Sequence, residues 1–156
     1  MDQVYLAFND ILVSLFNDIW NIEKTALIKG EFVDITNNDM HVIEAVGLDE
    51  PMNMSAIAKK LSVTVGSLTT SMNALVKKGY VTRERSEEDR RVVYIRLTEK
   101  GVRAYHHHAK FHHEMIERIV KNLNDEEKGV LIKALIRMKN FFLEQKALAD
   151  EKDGQQ

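Results

Sequence analysis

The chain has no cysteine, a single proline (Pro51) and only seven glycines in 156 residues. Without thiols, neither a disulfide framework nor a thiolate metal site can form, so bridges do not distinguish a reducing from an oxidising compartment. With so few turn-forming residues, the sequence reads as mostly helical. No apolar run approaches the roughly 18 residues that cross a bilayer. The opening MDQVYLAFNDILVSLF is interrupted by Asp2, Asn9 and Asp10 and has no basic leader, which argues against a signal peptide. A cytoplasmic location and no membrane partner are therefore expected. The length suits one domain, or one compact unit with lobes.

A strong excess of one charge is also lacking, since the net charge is −2. The near balance hides an uneven distribution. Between Met54 and Ala104 stand eleven Lys or Arg against five Asp or Glu, a local +6, while the remainder holds eleven against nineteen, or −8. A basic middle between acidic ends suggests that one lobe meets a polyanion and the others do not.

Apolar residues recur at helical spacing over residues 4 to 29, from Phe8, Ile11, Leu12 and Leu15 to Ile19 and Ile22, and the pattern stops near Gly30. Thr36 is placed to cap a second helix ending at Gly47, Asn53 a short third, MSAIAKKL, and Thr64 a fourth, VGSLTTSMNALVKK, closing at Gly79. Two short helices joined by Ser62-Val63 form a helix-turn-helix pattern. After Gly79 the period changes: YVTRER and VVYIRL alternate around the polar tip SEEDRR, which predicts a two-stranded hairpin. Thr98 then caps a long fifth helix. Asn124 and Glu127 have capping-box spacing at the start of a sixth, whose apolar residues include Leu131, Leu135, Met138, Phe141 and Phe142.

The fourth helix carries no charge from Thr64 to Ala74, yet it is rich in hydroxyl and amide groups. A helix laid in the major groove needs small side chains for close approach and then donors and acceptors that reach base edges. Gly66 and Ser67 suit the approach, Thr70 and Asn73 suit reading, and Val65 with the methyls of Thr64, Thr69 and Thr70 suits thymine. Arg90 and Arg91 in the hairpin tip suit a narrow minor groove. Lys77, Lys78, Arg83 and Arg85 suit phosphates, which add affinity without sequence information. The plain alternatives are a solvated Ser/Thr-rich helix and a solvated charged turn.

The stretch LSVTVGSLTTSMNALVKKGYVTRERSEEDRRVVYIRLTEKG, residues 61 to 101, set in this order of elements, resembles the MarR family of winged-helix transcription regulators. The likeness covers about residues 4 to 146. Within it, TVGSLTTSMNALVKKGYVTRERSEEDRRVV is most similar to the subgroup that represses fatty-acid synthesis genes in Gram-positive bacteria. The resemblance implies a mainly α fold with a small β-hairpin wing, a MarR-like homodimer with a winged helix-turn-helix in each chain. Residues 48–98 would form the DNA-binding lobe. Residues 1–47 and 99–149 would form the dimerisation region, with 36–47 also supporting the lobe, and 150–156 a flexible tail. It further implies that Asp89 holds Arg91 for insertion. Family members often carry an arginine where this chain has Thr70, which turns the expectation away from a guanine contact there and toward thymine methyls in an A·T-rich site. One lobe reads a half-site, so a palindromic double-stranded DNA and a homodimer are the expected partners.

Five of the six histidines fall in YHHHAKFHH, residues 105 to 113. Consecutive helical residues point about 100° apart, so His106, His107 and His108 cannot converge. His108 and His112, four apart, share a face, and His106 with His113 is a pair two turns apart. Glu23, His41, His108 and His112 resemble the ligand set of zinc-responsive MarR members, which makes zinc the candidate metal, though no cofactor is required. Those regulators also use a second site containing cysteine, which this chain lacks. The alternatives are a ligand cleft lined by hydrogen-bonding histidines and surface histidines without a role.

The resemblance to the lipid-gene repressors implies instead an acyl chain delivered by acyl carrier protein. The family fold brings the first, second and fifth helices together, so Phe16, Ile19, Trp20, Met40, Ile43, Phe111 and Met115 are candidates to wall its slot, against ordinary core packing. The leading expectation is a repressor of lipid synthesis genes, and the runner-up is a zinc-responsive repressor of metal uptake genes. A hydrolytic metalloenzyme on His108 and His112 has no HExxH motif to support it, and no catalysis is expected. A winged helix used purely for protein contacts is the remaining alternative.

Overall fold

The computed structural model describes residues 2–153, with side chains to residue 149. The elements run α1 (Gln3–Leu27), a 3-10 turn (Gly30–Phe32), α2 (Asn37–Val46), β1 (Met52–Asn53), α3 (Met54–Leu61), α4 (Val65–Lys77), β2 (Val81–Arg85), β3 (Val93–Leu97), α5 (Glu99–Val120) and α6 (Asp125–Asp153). The described chain divides into two compact units, Met1–His113 and Glu114–Gln156, with the boundary inside α5.

The helix starts follow the polar caps in the sequence. Thr36 and Asp39 close a capping box at 3.1 and 3.0 Å. Asn53 Oδ1 accepts Ala56 N–H at 2.9 Å, and Thr64 Oγ1 accepts Ser67 N–H at 3.1 Å. Each cap satisfies an amide that the first helical turn leaves without an intrahelical partner. Ser62 adopts the left-handed conformation with φ 58°, which makes the tight turn between α3 and α4. In the second unit, Asn124 and Glu127 form the second box at 3.0 and 2.8 Å.

The hairpin is part of a three-stranded antiparallel sheet in the order β1-β3-β2. Val81 pairs with Leu97 and Arg85 with Val93, as alternation predicts, while β1 adds Met52 opposite Ile95 on the other edge. A two-residue strand just after Pro51 is too short to leave a periodic signal in the sequence. α6 continues to Asp153, so residues 150–153, read as tail, are helical; the rest of that tail lies outside the described residues.

The core lies in the first unit, where Leu27, Met40, Ile43, Ile57, Leu68, Met72, Leu75 and Ile95 are buried. Of α1, only Glu23 and Leu27 are buried. Its Val4, Tyr5, Phe8, Ile11, Phe16 and Trp20 stay exposed, as do Val130, Ile132, Leu135, Phe141 and Phe142 of α6. No helix among the described residues is long and apolar enough to cross a membrane.

The wing leaves the core at Tyr80, which is fully buried. Its hydroxyl donates to Asp34 Oδ1 at 2.6 Å, and its carbonyl accepts Thr98 N–H at 3.0 Å. Lys100 Nζ lies 3.0 Å from Asp34 Oδ2 and 4.1 Å from the Tyr80 ring centre. The Tyr80 phenol is pushed upward in pKa by burial and then by Asp34. The Tyr80 hydrogen bond, with Lys100 beside it, holds the Asp34 carboxyl below its ordinary value against a smaller opposing effect of burial. Gly101 in the first turn of α5 is buried, and a Cβ there would run into the Tyr80 carbonyl.

Two predictions follow from this junction. Gly101→Ala should cost about 2 kcal/mol in urea unfolding, because backbone rather than a movable side chain blocks the added methyl. Asp34→Asn should cost about 1 kcal/mol at neutral pH. A carboxyl whose pKa is depressed on folding contributes stability above its unfolded value of 3.8 and loses it as pH falls through the lower folded value. The gap between wild type and Asp34→Asn should therefore be constant above about pH 5 and close at lower pH; a gap unchanged down to pH 3 would refute the assignment.

Candidate nucleic-acid interface and histidine cluster

α4 is held by one stripe and presents another. Leu68, Met72 and Leu75 are buried, which fixes the helix's rotation. At about 100° per residue the opposite side carries Gly66, Thr70, Asn73 and Lys77, all exposed. Val65 is 43% exposed at the helix start, among the groups that suit a thymine methyl. Two hydroxyls are turned inward: Thr64 Oγ1 caps the helix and lies 2.9 Å from Ser67 Oγ, and Thr69 Oγ1 donates to Val65 O at 2.7 Å. Thr64 and Thr69 therefore offer methyls rather than hydroxyls. Ser71, beside this stripe, accepts from Asn38 Nδ2 of α2 at 3.3 Å.

In the wing, Arg83, Arg85, Arg90 and Arg91 are exposed. Arg83 Nη2 donates to Asn73 Oδ1 at 2.6 Å, linking β2 to α4. The expected hold of Asp89 on Arg91 runs through the backbone. Asp89 Oδ1 accepts the backbone N–H of Arg91 at 2.9 Å, and Val92 N–H donates to the Asp89 carbonyl at 2.9 Å. The carboxylate thus shapes the turn that carries Arg91. Lys78 departs from its expected role, because its Nζ lies 3.2 Å from Asp39, a buried carboxylate on α2. Lys77 remains exposed.

Beneath this surface, α1, α2 and α5 bring four polar side chains together. Glu23 Oε1 lies 3.1 Å from His108 Nε2, 3.1 Å from His112 Nε2 and 3.7 Å from His41 Nε2, and the two ring nitrogens of His108 and His112 are 3.0 Å apart. Glu23, His41 and His108 each place a ligand atom within 4.8 Å of the others, with Glu23 and His108 buried. Asn37 Nδ2 donates to Glu23 Oε2 at 2.9 Å, leaving Oε1 to the histidines, and the buried Asn37 Oδ1 has no hydrogen-bond partner. Glu44 Oε2 stands behind the rings, 3.5 Å from His108 Nδ1 and 3.8 Å from His41 Nδ1.

This arrangement is tighter than hydrogen bonds alone explain. A neutral imidazole has one N–H and a carboxylate none, so two rings that both donate to Glu23 leave the 3.0 Å nitrogen pair with no proton between them. Corners of a zinc tetrahedron with bonds of about 2.0 to 2.1 Å lie about 3.3 Å apart, close to the spacings seen. Burial pushes the His108 pKa down, favouring the neutral ring, although the Glu23 hydrogen bond and Glu44 oppose it. Burial works to raise the Glu23 pKa, but bonds from Asn37 and His108 and the nearby His41 and His112 bring it below the ordinary value. Both groups are thus held in the protonation state that ligates a metal.

Asn37 and Glu44 were not anticipated from the sequence. Once Thr36 is taken as the cap, Asn37, His41 and Glu44 fall on one face at i, i+4 and i+7, a signal that was available. The other histidines scatter: His107 Nε2 lies 3.2 Å from Leu27 O and packs on Phe32, while His106 and His113 are exposed. The candidate cleft residues also divide. Met40 and Ile43 are fully buried in the core, Phe111 packs against it, Phe16 and Trp20 are 55% and 52% exposed, and Ile19 is half-buried. Met115 belongs to the second unit.

A polar stripe on a helix seated by its opposite face, beside a hairpin tipped with arginines, defines a winged-helix DNA-binding protein. Residues 35–93 match the MarR family model. The chain is similar over its length to FabT of Streptococcus pneumoniae, solved in complex with DNA. The two are 39% identical, the likeness covers 90% of this chain and 98% of that one, and the TM-score is 0.85. The chain belongs to the MarR family, and it is a DNA-binding transcription regulator rather than an enzyme. Among curated proteins it is 27% identical over 99 residues to the HTH-type transcriptional regulator PchR of Bacillus subtilis, covering 62% of this chain and 59% of PchR. The chain spans a little over half the length of the first curated relatives it matches, 59%, 57% and 56%. The reduced form of MarR from E. coli shares the fold, with 24% identity, a TM-score of 0.65 and coverage of 83% and 94%.

Replacing Arg91 with alanine should weaken duplex binding about tenfold, the scale of a charge-assisted contact, while leaving the circular dichroism spectrum and the sedimentation coefficient unchanged. Undiminished binding in fluorescence anisotropy would remove the wing tip from the interface.

Proposed function

We propose that the protein is a repressor that grips palindromic, A·T-rich double-stranded DNA as a symmetric homodimer and controls fatty-acid synthesis genes. The observation that carries the DNA reading is the outward stripe of Gly66, Thr70, Asn73 and Lys77 beside the wing arginines. Thr64, Val65, Ser67 and Thr69 support it from the first turns of α4, Arg83 and Arg85 from β2, and Asp89, Arg90 and Arg91 from the tip. The exposed apolar residues of α1 and α6 support a two-fold interface, since a lone soluble chain rarely leaves so many uncovered. The fatty-acid assignment is supported by the likeness of residues 64–93 to that repressor subgroup and by the similarity to FabT. Its effector would be a long acyl chain on acyl carrier protein, lodged among Phe16, Ile19, Trp20, Met40, Ile43 and Phe111.

A second reading is favoured by the polar cluster: a zinc-responsive repressor of metal uptake genes, with Glu23, His41, His108 and His112 holding one zinc. The metal would supply a positive charge that ties Glu23 of α1 to α2 and α5. Glu44 and Asn37 would fix the orientation of the ligands, as second-layer carboxylates and amides do around zinc.

Three measurements separate these readings. Affinity for A·T-rich duplex should fall about 1000-fold as salt rises from about 50 to 200 mM; no salt dependence would leave a protein-contact module. Elemental analysis should find about one zinc per chain in wild type and none in His108→Ala/His112→Ala if the metal reading holds, with duplex affinity responding to chelator in wild type alone. Long-chain acyl carrier protein that changes duplex affinity equally in wild type and that double variant would instead favour the lipid reading, and no effect of either ligand would remove both.

A further inference from the structure

We propose that Asn73 and Arg83 act as one donor-only unit that reads a guanine edge within the operator, with Arg83 as the positioning residue. The inference rests on the DNA-binding reading above and adds a specificity to it. Arg83 Nη2 donates to Asn73 Oδ1 at 2.6 Å. A guanidinium has no acceptor, so the amide must turn its oxygen to Arg83 and its NH2 group away. Charge-assisted bonds of this kind are about twice as strong as neutral ones, so the amide orientation is set before DNA arrives.

Its recognition chemistry follows from that orientation. A free asparagine pairs with adenine by accepting from N6 and donating to N7. Here the oxygen already faces a positive group, which weakens it toward a second donor, while polarisation strengthens the outward NH2 as a donor. The remaining N–H groups of Arg83 add more donors beside it. In the major groove, guanine is the base that offers two neighbouring acceptors, N7 and O6. Asn73 shares the outward stripe with Gly66 and Thr70, in the body of α4. Lys77, at the helix end, is better placed for the backbone. The expectation built on Thr70 alone, thymine methyls in an A·T-rich site, therefore gains one G·C pair per half-site.

The test begins by selecting bound duplexes from a random pool with the full chain. Selected half-sites should share one guanine, and replacing it with 7-deazaguanine, which removes N7 and leaves the phosphates untouched, should weaken wild-type binding about five- to tenfold. Asn73→Ala and Arg83→Ala should each bind the natural and deaza duplexes equally. Arg83→Lys, which keeps the charge and loses the fork, should retain most of the affinity yet lose the discrimination. Two results would overturn the proposal: a wild type indifferent to the deaza change at every selected guanine, or an Arg83→Ala loss that is uniform across duplexes and persists in the Asn73→Ala background, which would make Arg83 a phosphate contact. Failure of the wild type to select any duplex would overturn the DNA-binding reading itself, a separate and recognisable outcome.

Discussion

Leu68, Met72 and Leu75 enter the core from one side of α4, and the orientation of the whole binding surface depends on that burial. Fully burying a residue of this size stabilises by about 1.5 to 3 kcal/mol, so rolling α4 by a quarter turn would forfeit several such contributions. The rotation is therefore fixed, and Gly66, Thr70, Asn73 and Lys77 have no choice but to face outward. The wing is aligned to the same frame. Tyr80 anchors the start of β2 through Asp34 and Thr98, and Gly101 lets α5 approach closely enough for that anchor to close.

The Glu23 carboxylate organises the layer below. It is buried, it accepts from Asn37, and it touches His108 and His112. A buried carboxylate needs compensating donors, and here they come from two other helices. The cluster therefore has a structural task whether or not it also holds an ion. The same α2 carries Asn37 at Glu23 and Asn38 at Ser71 of α4, with Asp39 at Lys78, so three successive residues connect the cluster to the recognition helix and its end.

Much of this was legible in the sequence because it is local. Thr36, Asn53, Thr64 and Asn124 announce their helices by side chains that reach only three residues ahead, and the alternation around SEEDRR gives the hairpin its register. The pairing of His108 with His112 follows from helical spacing. What was missed is what depends on distant partners. β1 exists because Met52 meets Ile95, the Asp34–Tyr80 bond joins residues 46 apart, and Lys78 is drawn to Asp39 across 39. Asp89 was expected to hold Arg91, and residue type alone does not say whether a carboxylate does so through a guanidinium or a backbone amide. The candidate acyl slot was read from apolar residues on three helices that the family fold brings together, which does not separate the buried Met40 and Ile43 from the exposed Phe16 and Trp20.

β2 is an outer strand of the sheet, with β3 on one side only, and its exposed residues include Arg83, Glu84 and Arg85. An open strand edge is a template for unwanted pairing with other chains, and charged side chains along it are a common deterrent. The arginines proposed to meet DNA therefore also keep neighbouring molecules from zipping onto the wing. On the proposed reading, grip on the double helix and resistance to clumping are carried by the same atoms, so a variant neutralised to loosen one would also erode the other.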